Sequence, residues 1–297
     1  MPDNKICPAC TAKETADLFN ARDYLVSGRE FLIRQCTSCG MGWTVDPPPE
    51  AEAGRFYVSE EYISHTDRKQ SLADYLYHLA RSFMLGRKHR IATSVTGKRT
   101  GVLLDIGSGT GYFAAFMQKR GWQVTGIELN DEARNYSASR FGIKVASPGE
   151  IKELPSASAD CITFWHVLEH LYDPAAWLDE VKRILRDDGK CIIALPNFSS
   201  ADAEWFGSRW AALDVPRHLW HFTPEAVKQF VGKQGFTVDR IESLPLDLFY
   251  IASLSYRNTG KRLPLTRGVF TGVLIALRSL FRSEKASSLV FVISKRD

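Results

Sequence analysis

The sequence predicts an α/β fold, a Rossmann-like parallel sheet with helices on both faces, preceded by a small cysteine-rich module and carrying a helical insertion near its end. Three observations predict it. From residue 100 onward, short apolar runs alternate with helix-patterned segments, as the strands and crossover helices of a parallel sheet do. The first apolar run ends in a glycine-rich turn, Asp105-Ile106-Gly107-Ser108-Gly109-Thr110-Gly111. Upstream stand two Cys-x-x-Cys pairs, separated by residues 11–35.

Composition sets the frame for these elements. The 297 residues are 44% hydrophobic and 24% charged, enough for a sizeable core in one large domain plus an appendage. The net charge of +4 is mild and no long single-sign run occurs, so no nucleic-acid partner is expected. The start, Met1-Pro2-Asp3-Asn4-Lys5, lacks the apolar core of a secretory signal. No apolar run approaches the ~20 residues of a membrane span. A reducing cytoplasm is the expected location.

The first element is the module 1–50. Cys7-Pro8-Ala9-Cys10 and Cys36-Thr37-Ser38-Cys39-Gly40 form two knuckles that a hairpin can bring together, setting four thiolates around a zinc ion. Gly40 suits the tight turn after the second pair, and residues 30–35 read as the strand leading into it. Cys7, Cys10, Cys36 and Cys39 are expected to hold a structural zinc ion in a module with little core of its own. A redox dithiol would show a single pair beside a βαβ pattern. Cys161 and Cys191 lie in apolar strand-like runs and read as core.

Residues 51–99 read as linker and leading helix. The stretch Val45-Asp46-Pro47-Pro48-Pro49-Glu50 is stiff and extended. Leu72, Tyr75, Leu76, Leu79, Phe83 and Met84 follow at helical spacing within 70–95. The main domain, 100–297, reads as strands at 102–106, 123–128, 143–146, 161–165 and 190–195, with helices at 112–120, 131–141 and 174–185. Ligands of such sheets bind outside the carboxyl ends of the strands. There, Gly107, Gly109 and Gly111 let a backbone approach its ligand. Asp105, just before them, is a poor neighbour for a pyrophosphate and a good one for an ammonium group. Glu128, ending the next strand, can accept hydrogen bonds from ribose hydroxyls. A generic dinucleotide enzyme is the competing reading, and a third glycine at dinucleotide spacing is missing.

Residues 100–200 resemble the class I S-adenosylmethionine-dependent methyltransferases, particularly the group with the ubiquinone-biosynthesis O-methyltransferases. The resemblance lies in residues 103–113 as the first motif, 126–130 as the acidic second-strand motif and 160–173, containing Phe164-Trp165-His166-Val167-Leu168-Glu169-His170, as the fourth-strand motif. Arg186-Asp187-Asp188-Gly189-Lys190 stands where that family has a Lys-Pro-Gly-Gly turn. The resemblance implies a seven-stranded methyltransferase sheet. It implies S-adenosyl-L-methionine held by Asp105, Gly107, Ser108, Gly109, Gly111 and Glu128, with Trp165 and His166 lining its pocket. It implies a role for Glu150 too, whose segment 149–155 resembles the family's Gly-Asp-x-x-x-Leu-Pro, with an acid facing the adenine amino group. With the cysteine module included, the chain also resembles zinc-containing sugar C-methyltransferases.

The remaining candidates concern acceptor chemistry. His166-Val167-Leu168-Glu169-His170 spells a metalloprotease pattern, but that pattern needs a continuous helix and His166 directly follows a strand. His170 reads as a catalytic residue or a turn residue, and Glu169 with His170 could hold a divalent ion near the acceptor oxygen. Thr223-Pro224 starts a helix. The loop before it crowds Arg217, His218, Trp220 and His221 together, over the expected cofactor site, with Trp205, Phe206 and Trp210 extending the lid. Arg217 could pair with a substrate carboxylate or phosphate, and His218 or His221 could deprotonate an acceptor. An aromatic lid with backbone-satisfied histidines is the alternative.

Residues 236–244 and 289–295 read as the last two strands, an antiparallel edge hairpin in this family. Between them, 245–288 is an apolar-rich helical insertion flanked by Arg257, Lys261, Arg262, Arg267, Arg278, Arg282 and Lys285. It suits peripheral membrane contact, a cap on the substrate site or a dimer contact. The oligomeric state stays open. The expected function is methyl transfer to an oxygen or carbon of a small metabolite, a sugar or lipid-linked intermediate, with an RNA methyltransferase and a non-catalytic cofactor-binding scaffold as the competing readings.

Overall fold

The computed structural model describes residues 6–57, 72–244, 246–261, 263–279 and 283–296. Pro245, Arg262, Arg282 and linker residues 58–71 lie outside the described residues. Along the chain come β1 (Thr15–Arg22), β2 (Glu30–Cys36), β3 (Gly42–Thr44), α1 (Glu50–Ala53), α2 (Leu72–Thr96), β4 (Val102–Ile106), α3 (Tyr112–Gln118), β5 (Gln123–Ile127), α4 (Asp131–Phe141) and β6 (Lys144–Ala146). There follow β7 (Ala159–Trp165), α5 (Pro174–Ile184), β8 (Leu185–Pro196), α6 (Ala201–Phe206), β9 (Trp220–His221), α7 (Pro224–Lys233), β10 (Phe236–Ser243), α8 (Asp247–Asn258), α9 (Pro264–Ser279) and β11 (Ser288–Lys295).

Seven strands form the main sheet in the order β10-β11-β8-β7-β4-β5-β6. Pairings from β6 to β8 are parallel, and β11 runs antiparallel between β8 and β10. This is the expected Rossmann-like sheet with its antiparallel edge. Its central strands are buried almost throughout: six of the seven β7 residues, Ala159 to Phe164, are buried. Helices on both faces require such near-continuous apolar strands.

Local chemistry sets the helix ends. Asn130 caps α4 by accepting from Ala133 N, and Gly142 closes it in the left-handed conformation. Asp173 and Thr223 cap α5 and α7 in the same way, each followed by proline. Arg186-Asp187-Asp188-Gly189-Lys190 departs from the expected turn. Ala159 pairs with Leu185 and Cys161 with Lys190, so the segment is a wide bulge inside β8. Ion pairs Arg186–Asp160, Lys190–Asp239 and Lys295–Asp187 tie it to its neighbours.

A second sheet, β1-β2-β3-β9, takes its fourth strand from the loop before α7, pairing Trp43 with Trp220 and Gly42 with His221. Buried Cys7, Cys36, Cys39, Met41 and Trp43 join one core with Leu104, Ile106, Phe164 and Ile193 of the main sheet. The cysteine module thus completes its sheet with a strand from residue 220 and packs on the main core. At the other end, α8 and α9 form an antiparallel hairpin. Its seam includes the Tyr256–Thr271 hydroxyl pair at 2.8 Å, and Gly268 lies so close that an added Cβ would fall 2.3 Å from Ser253 Oγ.

Candidate functional site

Strand β4 delivers Asp105 to the carboxyl edge of the sheet and the chain turns sharply after it. Gly107 stands at φ 69°, where a Cβ would lie 2.3 Å from Val167 Cγ2, so both the conformation and the space demand glycine. Gly109, at φ 52°, faces open space. Across this opening, Glu128 follows β5. Its carboxylate accepts from Gly109 N at 2.8 Å and from Asn130 N at 2.9 Å, which fixes both oxygens while leaving lone pairs for further donors. Ser108 Oγ is buried without a hydrogen-bond partner, as is Trp165 Nε1.

Asp105 is 2% exposed and accepts from Thr163 Oγ1 at 2.6 Å. Burial pushes its carboxyl up to about 6, opposed by the Thr163 hydrogen bond and the charge of Lys88. Lys88, brought in by α2, places Nζ 4.4 Å from the Trp165 ring centroid, and Trp165 meets Phe113 edge-on. Neither α2 nor Lys88 belongs to the motifs of the glycine turn, and no sequence signal separated Lys88 from its basic neighbours.

The segment after β7 carries a second charged group. His166 adopts φ 58°, a conformation tolerated by histidine but costing on the order of 1 kcal/mol or more. Its Nε2 lies 3.1 Å from Asp247 of α8 and its Nδ1 3.6 Å from Glu169. Although burial opposes it, these two carboxylates raise the imidazole to about 9. Asp247 is a second residue of this cluster missed in the sequence; the signal was one of two acids in an otherwise basic insertion.

Glu169 is buried, and neither carboxylate oxygen accepts a hydrogen bond. Ligand atoms of Glu169, His170 and His218 lie within 4.8 Å of one another, and the rings of His170 and His218 meet edge-on at 4.5 Å. His170 Nδ1 lies 3.1 Å from the Arg217 carbonyl, and His218 Nδ1 lies 2.8 Å from the Ala212 carbonyl. A carbonyl only accepts, so the His218 ring carries a proton on Nδ1, while His170 Nδ1 also lies 3.1 Å from the Tyr57 hydroxyl. Burial holds His170 down at about 4.

Several expected site residues are placed differently. Arg217 is buried, donating to Asp214, to Asp23 and to the Phe56 carbonyl. Its guanidinium ties module, linker and main domain together, which corrects its assignment as a substrate clamp. His221, in β9, bonds Thr44 Oγ1 at 3.2 Å, and burial brings it to about 3. It is a sheet residue, which corrects its assignment as a base. Glu150 accepts from both Ser147 N and Ser147 Oγ at 2.8 Å. The longer glutamate folds back with one oxygen into a capping box. The loop carrying these residues is a wedge rather than a lid: Leu219 N donates to Glu169 O and Trp220 Nε1 to Leu171 O. Trp210 is buried against Asp202 and Phe206 packs on Tyr256, whereas Trp205 is exposed.

Cys7, Cys10, Cys36 and Cys39 do converge. Their sulfurs lie within 4.8 Å of one another, with Cys7–Cys39 at 3.5 Å and Cys10–Cys36 at 3.6 Å. Zinc–thiolate bonds of ~2.3 Å in a tetrahedron need comparable sulfur separations, so the donor set fits a structural zinc ion. Besides packing on the main core, the cluster bonds the start of α7 through Cys39 O, which accepts from Thr223 Oγ1 at 2.8 Å.

Comparison with known proteins accords with this geometry. Residues 75–241 match the family model described as a methyltransferase domain. The malonyl-acyl-carrier-protein O-methyltransferase of Serratia marcescens is 30% identical over 124 residues, 41% of this chain and 48% of that protein. The ubiquinone biosynthesis O-methyltransferase of Xanthomonas oryzae is 30% identical over 129 residues, 40% of this chain and 54% of that protein. The chain thus spans about half the length of the curated relatives it matches. Among solved structures, a geranyl diphosphate C-methyltransferase from Streptomyces coelicolor, complexed with Mg2+, geranyl diphosphate and S-adenosyl-L-homocysteine, superposes with a TM-score of 0.54. It is 11% identical and covers 80% of this chain and 90% of its own. An S-adenosylmethionine-dependent methyltransferase from Archaeoglobus fulgidus gives 0.50 at 21% identity, covering 72% of this chain and 94% of its own. Both likenesses speak for the fold.

Proposed function

Because the chain belongs to the methyltransferase-domain family, we propose that it methylates an oxygen or carbon of a small metabolite, a sugar or lipid-linked intermediate, using S-adenosylmethionine. The observation that carries the reading is the open glycine turn at Gly109 facing Glu128, with Asp105 and Lys88 at its inner end. This set fits the cofactor group by group. Glu128 suits the ribose hydroxyls, Asp105 the ammonium and Lys88 the carboxylate of the methionyl part. When bound, the cofactor supplies an electrophilic methyl on a sulfonium.

The chain's own residues do the rest. Water is kept from the centre by the buried wedge and by Trp165. An oxygen or carbon acceptor must lose a proton, whereas a neutral amine need not lose one first. His218 Nε2 is the acceptor for that proton, and the buried Glu169 stabilises the imidazolium that forms. His166, held cationic by Asp247, keeps Glu169 ionised. The Glu169 oxygens, which accept no hydrogen bond, favour a second reading, in which Glu169, His170 and His218 hold a divalent ion that binds the acceptor oxygen.

One experiment tests both. Purified protein is incubated with methyl-labelled cofactor and with lipid and aqueous extract fractions, and S-adenosylhomocysteine binding is followed by calorimetry. Binding is expected in the wild type, its loss in Gly109→Phe, and label in a lipid or carbohydrate. Absent binding sinks the cofactor reading, and label in RNA alone sinks the acceptor reading. Glu169→Gln should slow transfer about 100-fold while retaining the cofactor. If the same variant also abolishes calorimetric binding of Mn2+ seen in the wild type, the cluster is a metal site.

A further inference from the structure

Helix α9 is apolar on two faces. One face, with Gly268, Thr271, Gly272 and Ile275, packs on α8. The other presents Leu265, Val269, Phe270, Val273 and Leu274 to solvent, with Leu265 and Phe270 each 67% exposed. At about 100° per residue these five cover roughly half the helix circumference. Exposed large apolar side chains are normal singly but not as a continuous stripe.

Charge says what covers the stripe. Between Leu248 and Ser283 the sequence has no Asp or Glu, against Arg257, Lys261, Arg262, Arg267, Arg278 and Arg282. Arg257, Lys261 and Arg267 are exposed around the same hairpin. Two copies meeting through this face would bring these like charges together. A surface of anionic lipid supplies both an apolar phase for the stripe and charge for the bases. Helix α9 is 16 residues long, and no helix among the described residues is long and apolar enough to cross a membrane.

We propose that the α8–α9 hairpin docks the protein on anionic membrane surfaces. Docking stands independently of the proposed reaction. One consequence rests on that reading: Asp247, the first residue of α8, bonds His166 beside the buried Glu169, so the docked hairpin holds the reaction site next to lipid and favours a lipid-linked acceptor.

The test is sedimentation of the full chain with vesicles of phosphatidylcholine alone or with phosphatidylglycerol added. Binding is expected only with phosphatidylglycerol and weakening with salt. Leu265→Ser with Phe270→Ser should weaken it at least about tenfold with an unchanged melting curve and unchanged S-adenosylhomocysteine binding. Lys261→Glu should also weaken it. Equal sedimentation with both vesicle types, or none, overturns the proposal. So does a dimer in analytical ultracentrifugation that Phe270→Ser disperses. Because neither vesicle binding nor ultracentrifugation reads methyl transfer, failure here and failure of the proposed reaction are told apart.

Discussion

Asp105 joins a structural cost to a binding function. Its burial raises the carboxyl to about 6, so folding disfavours the ionised form, and this group's contribution to stability falls as pH rises from the ordinary carboxylate range through about 6. An ammonium ligand reverses that preference, because it pairs only with the ionised form. Cofactor affinity should therefore be flat above neutrality and fall about tenfold per pH unit below 6. Calorimetry across that range checks this. Thr163→Val removes the 2.6 Å hydrogen bond and should move the midpoint upward; a midpoint unchanged in that variant would remove Asp105 from the ammonium site. Asp105, Glu128 and the glycines were legible because a strand end and its turn are local chemistry. Lys88 and Asp247 were not. They arrive on helices whose patterning reports a buried face and says nothing of what lies at the sheet edge.

At the scale of elements, β9 is where module and main domain meet. Two residues suffice for a strand here because three sets of bonds support them: the ladder to β3, Thr44 Oγ1 donating to His218 O at 2.7 Å, and Thr223 Oγ1 donating to Cys39 O. A short strand was not visible in the sequence, since Trp220 and His221 have neither the length nor the alternation of one. Their place just before the Thr223-Pro224 helix start suggested a loop instead. The four cysteines were legible from spacing alone, yet their spacing could not say that the knuckle carbonyl would hold the cap of α7. If zinc anchors this seam, chelation should free β9 while leaving the cofactor turn on β4 and β5 intact. The expected result is about one zinc ion per chain, loss of the near-ultraviolet signal of the Trp43–Trp220 pair on chelation, and S-adenosylhomocysteine affinity kept within about threefold. A chelated protein with an unchanged tryptophan signal would show that the seam stands without the metal.

Over the whole molecule, one buried ion cluster ties together parts of the chain that are remote in sequence. Arg217 and Asp23 have side chains 1% and 0% exposed and meet at 3.0 Å, with Asp214 2.8 Å from the same guanidinium. Asp23 also accepts from Ser27 N and Ser27 Oγ. The cluster was legible only as charged residues in separate segments; their pairing depends on how the second sheet packs against the first. Such a cluster adds little over a well-packed apolar replacement, but removing one member leaves a buried charge uncompensated. Arg217→Met should therefore cost about 3–5 kcal/mol, read as a shifted urea midpoint. Asp23→Asn combined with Arg217→Met should recover part of that loss. Hydrogen bonds and the arginine hold Asp23 below its ordinary pKa despite burial, and Asp214 is likewise lowered. A depressed acid stabilises above its unfolded pKa and loses that contribution as pH falls through its folded value. These two acids should thus withdraw their stabilisation only below the ordinary carboxylate range. Arg217→Met removes the cation that lowers both acids, so its loss should begin at higher pH. Equal acid midpoints in the two proteins would show that the buried arginine does not set the ionisation of its partners.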